Sequence, residues 1–193
     1  MSAYYYTLAA LPQLSFDNDR LPSMEEFLSF CKSTIPSADY ARLTSISTDT
    51  PDLLNHPEPL IREYARFDVG LRNELVRHRA TRHQKNYADH AHILDTLEDF
   101  TVQPGVADIA REAAGAPSPL EGEHLLMRAR LRKIDELCVG HAFDFTILVA
   151  YQLKLSILLR KVAQTHDAGK ESFDRNYQQL STQIHEHVKD LGE

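Results

Sequence analysis

The stretch LIREYARFDVGLRNELVRHRATRHQ, Leu60 to Gln84, decides the fold class. Its apolar residues Ile61, Tyr64, Leu71 and Leu75 recur at steps of three and four, the period that lines one face of a long helix. Asp68 falls on the same face, so a carboxylate is expected where burial would otherwise be apolar. A helix of this kind must hide its stripe against other helices, and the flanking sequence supplies them.

On the N-terminal side, LPSMEEFLSFCK places Ser23 three residues before Glu26. That is a capping box, in which side chain and backbone satisfy each other's orphan donors, and it predicts a helix from about Met24 to Lys32. Ser37 is expected to cap a short second helix through Tyr40 and Leu43. The polar, proline-punctuated SISTDTPDLLNHPEP then reads as a connection, which sets an N-terminal helical subdomain over residues 1–56 and a main helical bundle over 57–193. On the C-terminal side, Ile93, Leu97 and Phe100 form a further apolar pattern. PGVADIAREAAG reads as a short helix ended by Gly115. Ser118 as cap, Pro119 at the first helical position and Glu121 three after the cap mark another start. The helix that follows carries Met127, Leu131, Ile134 and Cys138, with Gly140 ending or bending it. From Phe143 to Gln164 the chain is apolar nearly all round, and Phe173, Tyr177, Leu180, Ile184 and Val188 form a last clean stripe. The expected fold class is all-α.

Composition narrows the function. The 193-residue chain carries a net charge of −7, which argues against a general nucleic-acid binder. Only Cys31 and Cys138 are present, so a disulfide framework is not expected and a reducing, cytoplasmic setting is. Residues 143–159 look long and apolar, but Asp144, Gln152 and Lys154 interrupt them, which favours a buried central helix over a membrane span.

Charge is unevenly placed. Residues 60–85 hold seven Lys or Arg against three acids, a net of +4, leaving fourteen bases against twenty-five acids elsewhere. A basic helix on an acidic body is a docking face for an acidic partner, a phosphate-contacting surface, or internal counter-charge. Arg66, Arg72, Arg77, Arg79 and Arg82 are the candidate partner-binding residues. No Gly-rich or aromatic element accompanies them as a nucleic-acid module requires.

Ten histidines are the other excess. Glu121 with His124 has the spacing used in di-iron bundles, but a di-iron site needs two such pairs and two further glutamates. No metal, cofactor or catalytic residue is assigned. There is no G-x-S-x-G, no P-loop and no Gly-rich dinucleotide turn, and Cys31, set among phenylalanines, reads as a small core residue. Asp68 and Lys154 are the two charges expected inside the bundle. They either meet each other, or Asp68 pairs with Arg72 one turn away while Lys154 reaches the surface.

The run Tyr4, Tyr5, Tyr6 opens YYYTLAALPQL. It lacks the basic residues a base-stacking platform needs and is too short to span a bilayer. It is expected to anchor the segment to the fold, partly buried near Tyr151 and Tyr177. Tyr4, Leu8 and Leu11 fit one helical face, whereas three successive tyrosines have strand character, so helix and extended strand both stay open.

Taken together, YYYTLAALPQLSF with MEEFLSFCK, the mid-chain FDVGLRNELVRHRA, and HAFDFTILVAYQLKLSILLRK followed by DAGKESF resemble a bacterial family encoded beside V/A-type ATPase subunits. The resemblance spans most of the chain. It implies a non-catalytic helical component akin in role to the C subunit of those ATPases, called d in eukaryotes, the socket between the rotating central stalk and the proteolipid ring. The implied partners are the stalk and ring subunits, and the implied location is cytoplasmic, held at the inner membrane through the complex.

Overall fold

A computed structural model describes residues 4–18, 20–46, 51–82 and 103–164. Among the described residues the fold is all-α, with seven helices and no strand. The chain divides into two compact units, Met1–Leu158 and Leu159–Glu193. Of the second, the end of the last described helix is visible. The apolar patterns at Ile93–Phe100 and Phe173–Val188 lie outside the described residues.

The first three helices are α1 (Tyr5–Ala10), α2 (Met24–Thr34) and α3 (Ser37–Thr44). The tyrosine run is therefore helical, and the chain turns extended only at Leu11. The capping box at α2 is complete: the Ser23 hydroxyl accepts from the Glu26 amide, and the Glu26 carboxylate accepts from the Ser23 amide at 2.7 Å. At α3 the expectation shifts by one position. Ser37 is already helical and Pro36 takes the cap place without a side-chain bond. The proline-punctuated connection lies inside the first unit, where Pro51–Leu53 forms a 3₁₀ turn against the next helix.

That helix, α4 (Pro59–Arg82), is central. Ile61, Tyr64, Asp68, Leu71 and Leu75 are all buried, as the period requires. Burial also extends to Ala65, Phe67, Val69 and Asn73, so the middle of α4 is enclosed on nearly every side. Phe67, Leu71 and Leu75 pack against Val106, Ala110 and Ala113 of α5 (Val106–Ala114) and against Leu126 and Ala129 of α6 (Pro119–Leu137).

Small residues let α5 and α6 meet backbone to backbone. A methyl added at Gly122 would stand 2.6 Å from the Ala113 carbonyl oxygen, closer than any real contact. Ser118 caps α6 by accepting from the Glu121 amide, with Pro119 at the first position, as the sequence indicates. Helix α6 stops at Leu137, and Gly140 sits in the following turn at φ 88°, a conformation that favours glycine.

The last described helix, α7 (Phe145–Ala163), begins two residues later than its apolar pattern. Asp144 is the reason: its carboxylate accepts from the Ile147 amide at 3.1 Å and caps the first turn. Phe143 is left outside the helix at φ 51°, a left-handed conformation costing an aromatic residue about 1–3 kcal/mol. Leu148, Val149, Leu153, Leu155, Ile157 and Leu158 are buried around α7, matching the expected all-round apolar surface. No described helix is long and apolar enough to cross a membrane.

Candidate partner-binding surface

The arginines of α4 do not form one stripe. Arg66 and Arg77 share one side of the helix, while Arg72 and Arg79 share another, roughly 140° around the axis. Each of three has a carboxylate on its own helix. Arg66 bonds Glu63 at 2.8 Å, Arg72 bonds Asp68 at 2.9 Å, and Arg77 bonds Glu74. Much of the positive charge read from the sequence is thus met one turn away. Arg79 is exposed and lines a cavity of about 480 Å³ with Ala113, Ser118, Gly122 and Glu123, at the junction of α5 and α6. Arg82 ends α4, and its side chain lies outside the described residues.

Asp68 finds a partner that the sequence did not indicate. Its carboxylate accepts from Arg130 Nε of α6 at 2.7 Å as well as from Arg72, and Glu123 stands 3.5 Å from the other end of the Arg130 guanidinium. Asp68 is 1% and Arg130 9% exposed, so the pair is dry. Burial opposes the charge on Arg130, but the Asp68 carboxylate, with Tyr64 and Glu123 beside it, outweighs burial and raises its pKa. Lys154 does not meet Asp68. It reaches from α7 to Asp135 on α6, which is open to solvent.

A second polar node gathers the N-terminal helices. Arg42 of α3 bonds Asp39 at 3.0 Å and Glu58 at 2.6 Å, and its guanidinium lies 4.2 Å over the Phe145 ring of α7. Burial alone would lower the pKa of Arg42, but Glu58 and Asp39 outweigh it and raise it. Tyr4 donates its hydroxyl to Asp39, and burial together with that acid pushes its pKa up to about 12. Tyr4 therefore anchors its segment as expected. Tyr5 and Tyr6 do not: they are 53% and 68% exposed, Tyr5 lying 4.7 Å from Phe143 and Tyr6 6.4 Å from Phe30. The expected neighbour Tyr151 stacks instead on Phe27 and donates its hydroxyl to the Pro12 carbonyl. Tyr177 lies outside the described residues.

His56 and His141 take local structural roles. His56 accepts from the Glu58 amide, and burial lowers its pKa. His141 lies 2.7 Å from Asp144, whose pKa burial alone would raise; the bonds from His141 and the Ile147 amide hold it lowered. Cys31 is fully buried, and burial pushes its thiol up to about 11. Glu121 and His124 face a shallow cleft with Glu112 and Arg128, and among the described residues no three His, Cys, Asp or Glu side chains are placed to hold a metal ion.

No protein family, curated protein or solved structure matches the chain.

Proposed function

We propose that the protein is a non-catalytic accessory or central-stalk component of a V/A-type ATPase, similar in role to its C (eukaryotic d) subunit, linking the rotor stalk to the membrane ring. The observation that carries this reading is the ordered set of sequence blocks YYYTLAALPQLSF, FDVGLRNELVRHRA and HAFDFTILVAYQLKLSILLRK, which together span most of the chain. A part that passes torque between two partners has to resist bending and present complementary charge at its contacts. A central helix enclosed along its middle and cross-braced by Asp68 and Arg130 supports the first requirement. The polarised charge, a net of +4 over residues 60–85 on an otherwise acidic chain, supports the second. The protein would work in the cytoplasm, reaching the membrane through its partners alone.

The test is co-purification. A tagged protein recovered from native membranes should bring the A and B subunits or the proteolipid ring with it, and Arg66→Glu with Arg77→Glu should weaken that recovery. Recovery of none of these subunits would sink the reading. A phosphate- or nucleic-acid-binding role for residues 60–85 instead predicts salt-sensitive binding that Arg77→Ala and Arg79→Ala together weaken. The carboxylates on Arg66, Arg72 and Arg77 reduce the charge open to a protein partner and to phosphates alike; what counts against the phosphate role is that no Gly-rich or aromatic element accompanies these arginines in the sequence.

A further inference from the structure

Twice among the described residues an arginine is held by a carboxylate and an aromatic ring together. Arg42 bonds Asp39 while lying over Phe145, and Arg128 bonds Asp17 at 3.2 Å while lying 3.8 Å over Phe16. The combination is favourable because the ring face and the acid attract the same cation. Along α2 the acid and ring halves of this arrangement recur, and among the described residues no arginine or lysine pairs with them. An open, shallow groove on the outer face of α2 is lined by Phe30, Glu25, Glu26, Ser23, Ser29 and Ser33, two carboxylates and three hydroxyls beside one ring. Glu26 stays ionised, its pKa lowered by the Ser23 bonds of the capping box, and the Glu25 side chain points to solvent.

The aromatic surface continues beyond the groove. Tyr6 adjoins Phe30, and Tyr5, one position earlier on α1, lies against the part-exposed Phe143 ring. Phe143 is held there by a left-handed backbone between Gly140 and the Asp144 cap, and Asp144 adds a further acid at that end. The result is two ring pairs carried by consecutive positions of α1, Tyr6 with Phe30 beside Glu25 and Glu26, and Tyr5 with Phe143 beside Asp144.

We infer that this surface docks a basic amphipathic helix of a partner protein. Its apolar side lies on Tyr5, Tyr6 and Phe30, and its Lys or Arg side chains reach Glu25 and Glu26. Tyr and Phe rings give contact area at little conformational cost, and acids at the margin select a basic partner and reject an acidic one. The inference deepens the stalk-component reading by naming a surface and a partner chemistry, and rests on that reading only for which complex the partner belongs to.

The experiment uses a synthetic helix of about five turns with leucines on one side and lysines on the other, its counterpart with glutamates for lysines, and fluorescence anisotropy against the full chain. The lysine peptide should bind and the glutamate peptide should not. Tyr6→Ser and Glu25→Lys, both at exposed positions and checked for folding by circular dichroism, should each weaken binding about tenfold. Asp108→Lys on α5, an equally exposed acid, should leave it unchanged. The inference is overturned if the lysine peptide does not bind, if Asp108→Lys weakens it as much as Glu25→Lys, or if Tyr6→Ser has no effect. It is also overturned if Tyr6→Ser instead abolishes self-association seen by sedimentation, which would make the occupant a second copy. Failure to co-purify ATPase subunits, with these binding results intact, would remove the complex and leave the surface.

Discussion

Two regions of the molecule use the same parts, an arginine, acids and an aromatic ring, in different surroundings. Between α4 and α6, Asp68 and Arg130 are shut away from water, with Glu123 alongside. At the α3–α7 node, Arg42 holds Asp39, Glu58 and the Phe145 ring with about half its side chain exposed. In the dry pair each charge depends on the other, because an unpaired buried ion has no solvent to fall back on. In the wetter node Arg42 is about half open, so water substitutes for an acid it loses and each of its pairs contributes less.

The comparison breaks first at Arg130. Replacing it by Met leaves the Asp68 carboxylate buried with one of its arginines gone, and urea unfolding should show a loss of about 3–5 kcal/mol. Adding Asp68→Leu to Arg130→Met should restore most of it. A cost below about 1 kcal/mol for Arg130→Met would mean the pair is solvated and the contrast with Arg42 is false.

Next in size is Gly122→Ala. Alanine in a helix interior is ordinarily favoured by about 1 kcal/mol, but here its methyl meets the Ala113 carbonyl, and overpacking should leave a net loss of about 1–3 kcal/mol. Gly70 on α4 sharpens the point, since nothing stands within 4 Å of the methyl that Gly70→Ala would add. The same chemical change should there raise stability by about 0.5–1 kcal/mol in the same urea assay. Equal effects at the two sites would refute the close approach of α5 and α6.

Burial of Cys31 should show in alkali. Its thiol pKa is raised from about 9 to about 11, so the folded state favours the neutral form. That contribution is complete below pH about 9 and is lost as pH rises through about 11. Thermal scans should show the wild type losing Tm across this range more steeply than Cys31→Ala. The smallest effect belongs to Arg66→Ala with Arg77→Ala, each removing a pair one turn long whose arginine is about half exposed. Stability should change by less than about 0.5 kcal/mol per site, so any larger loss of partner binding would be assignable to the surface itself.

Helix starts were legible because caps are local. Ser23 with Glu26, and Ser118 with Pro119, specify a turn within four residues, and the structure agrees at both. The stripe of α4 was legible for the same reason, including Asp68. What the sequence withheld was pairing across distance. Arg130 lies on α6, far from Asp68 in the chain, and no spacing rule connects them. Asp144 looked like an interruption of an apolar run and proved to be its cap, because a short acid at the edge of such a run reads the same either way. The tyrosines were ambiguous from composition. Tyr4 is tied down by Asp39, whose position depends on where α3 lands, whereas Tyr5 and Tyr6 on the following turn stay largely in water. The aromatic and acidic surface inferred for a basic partner joins α1, α2 and the α6–α7 turn, so no single stretch of sequence displays it.

The bond from Tyr151 to Pro12, with Phe16 held at Arg128 and His124, ties the segment between α1 and α2 to helices made more than a hundred residues later. During synthesis that segment emerges before α6 and α7 and has nowhere to dock until they exist. Phe16 must therefore wait in solvent or in the care of a chaperone through most of translation. Closing so long a loop falls late in folding, which makes the N-terminal strap the last piece to lock and the first to release under stress.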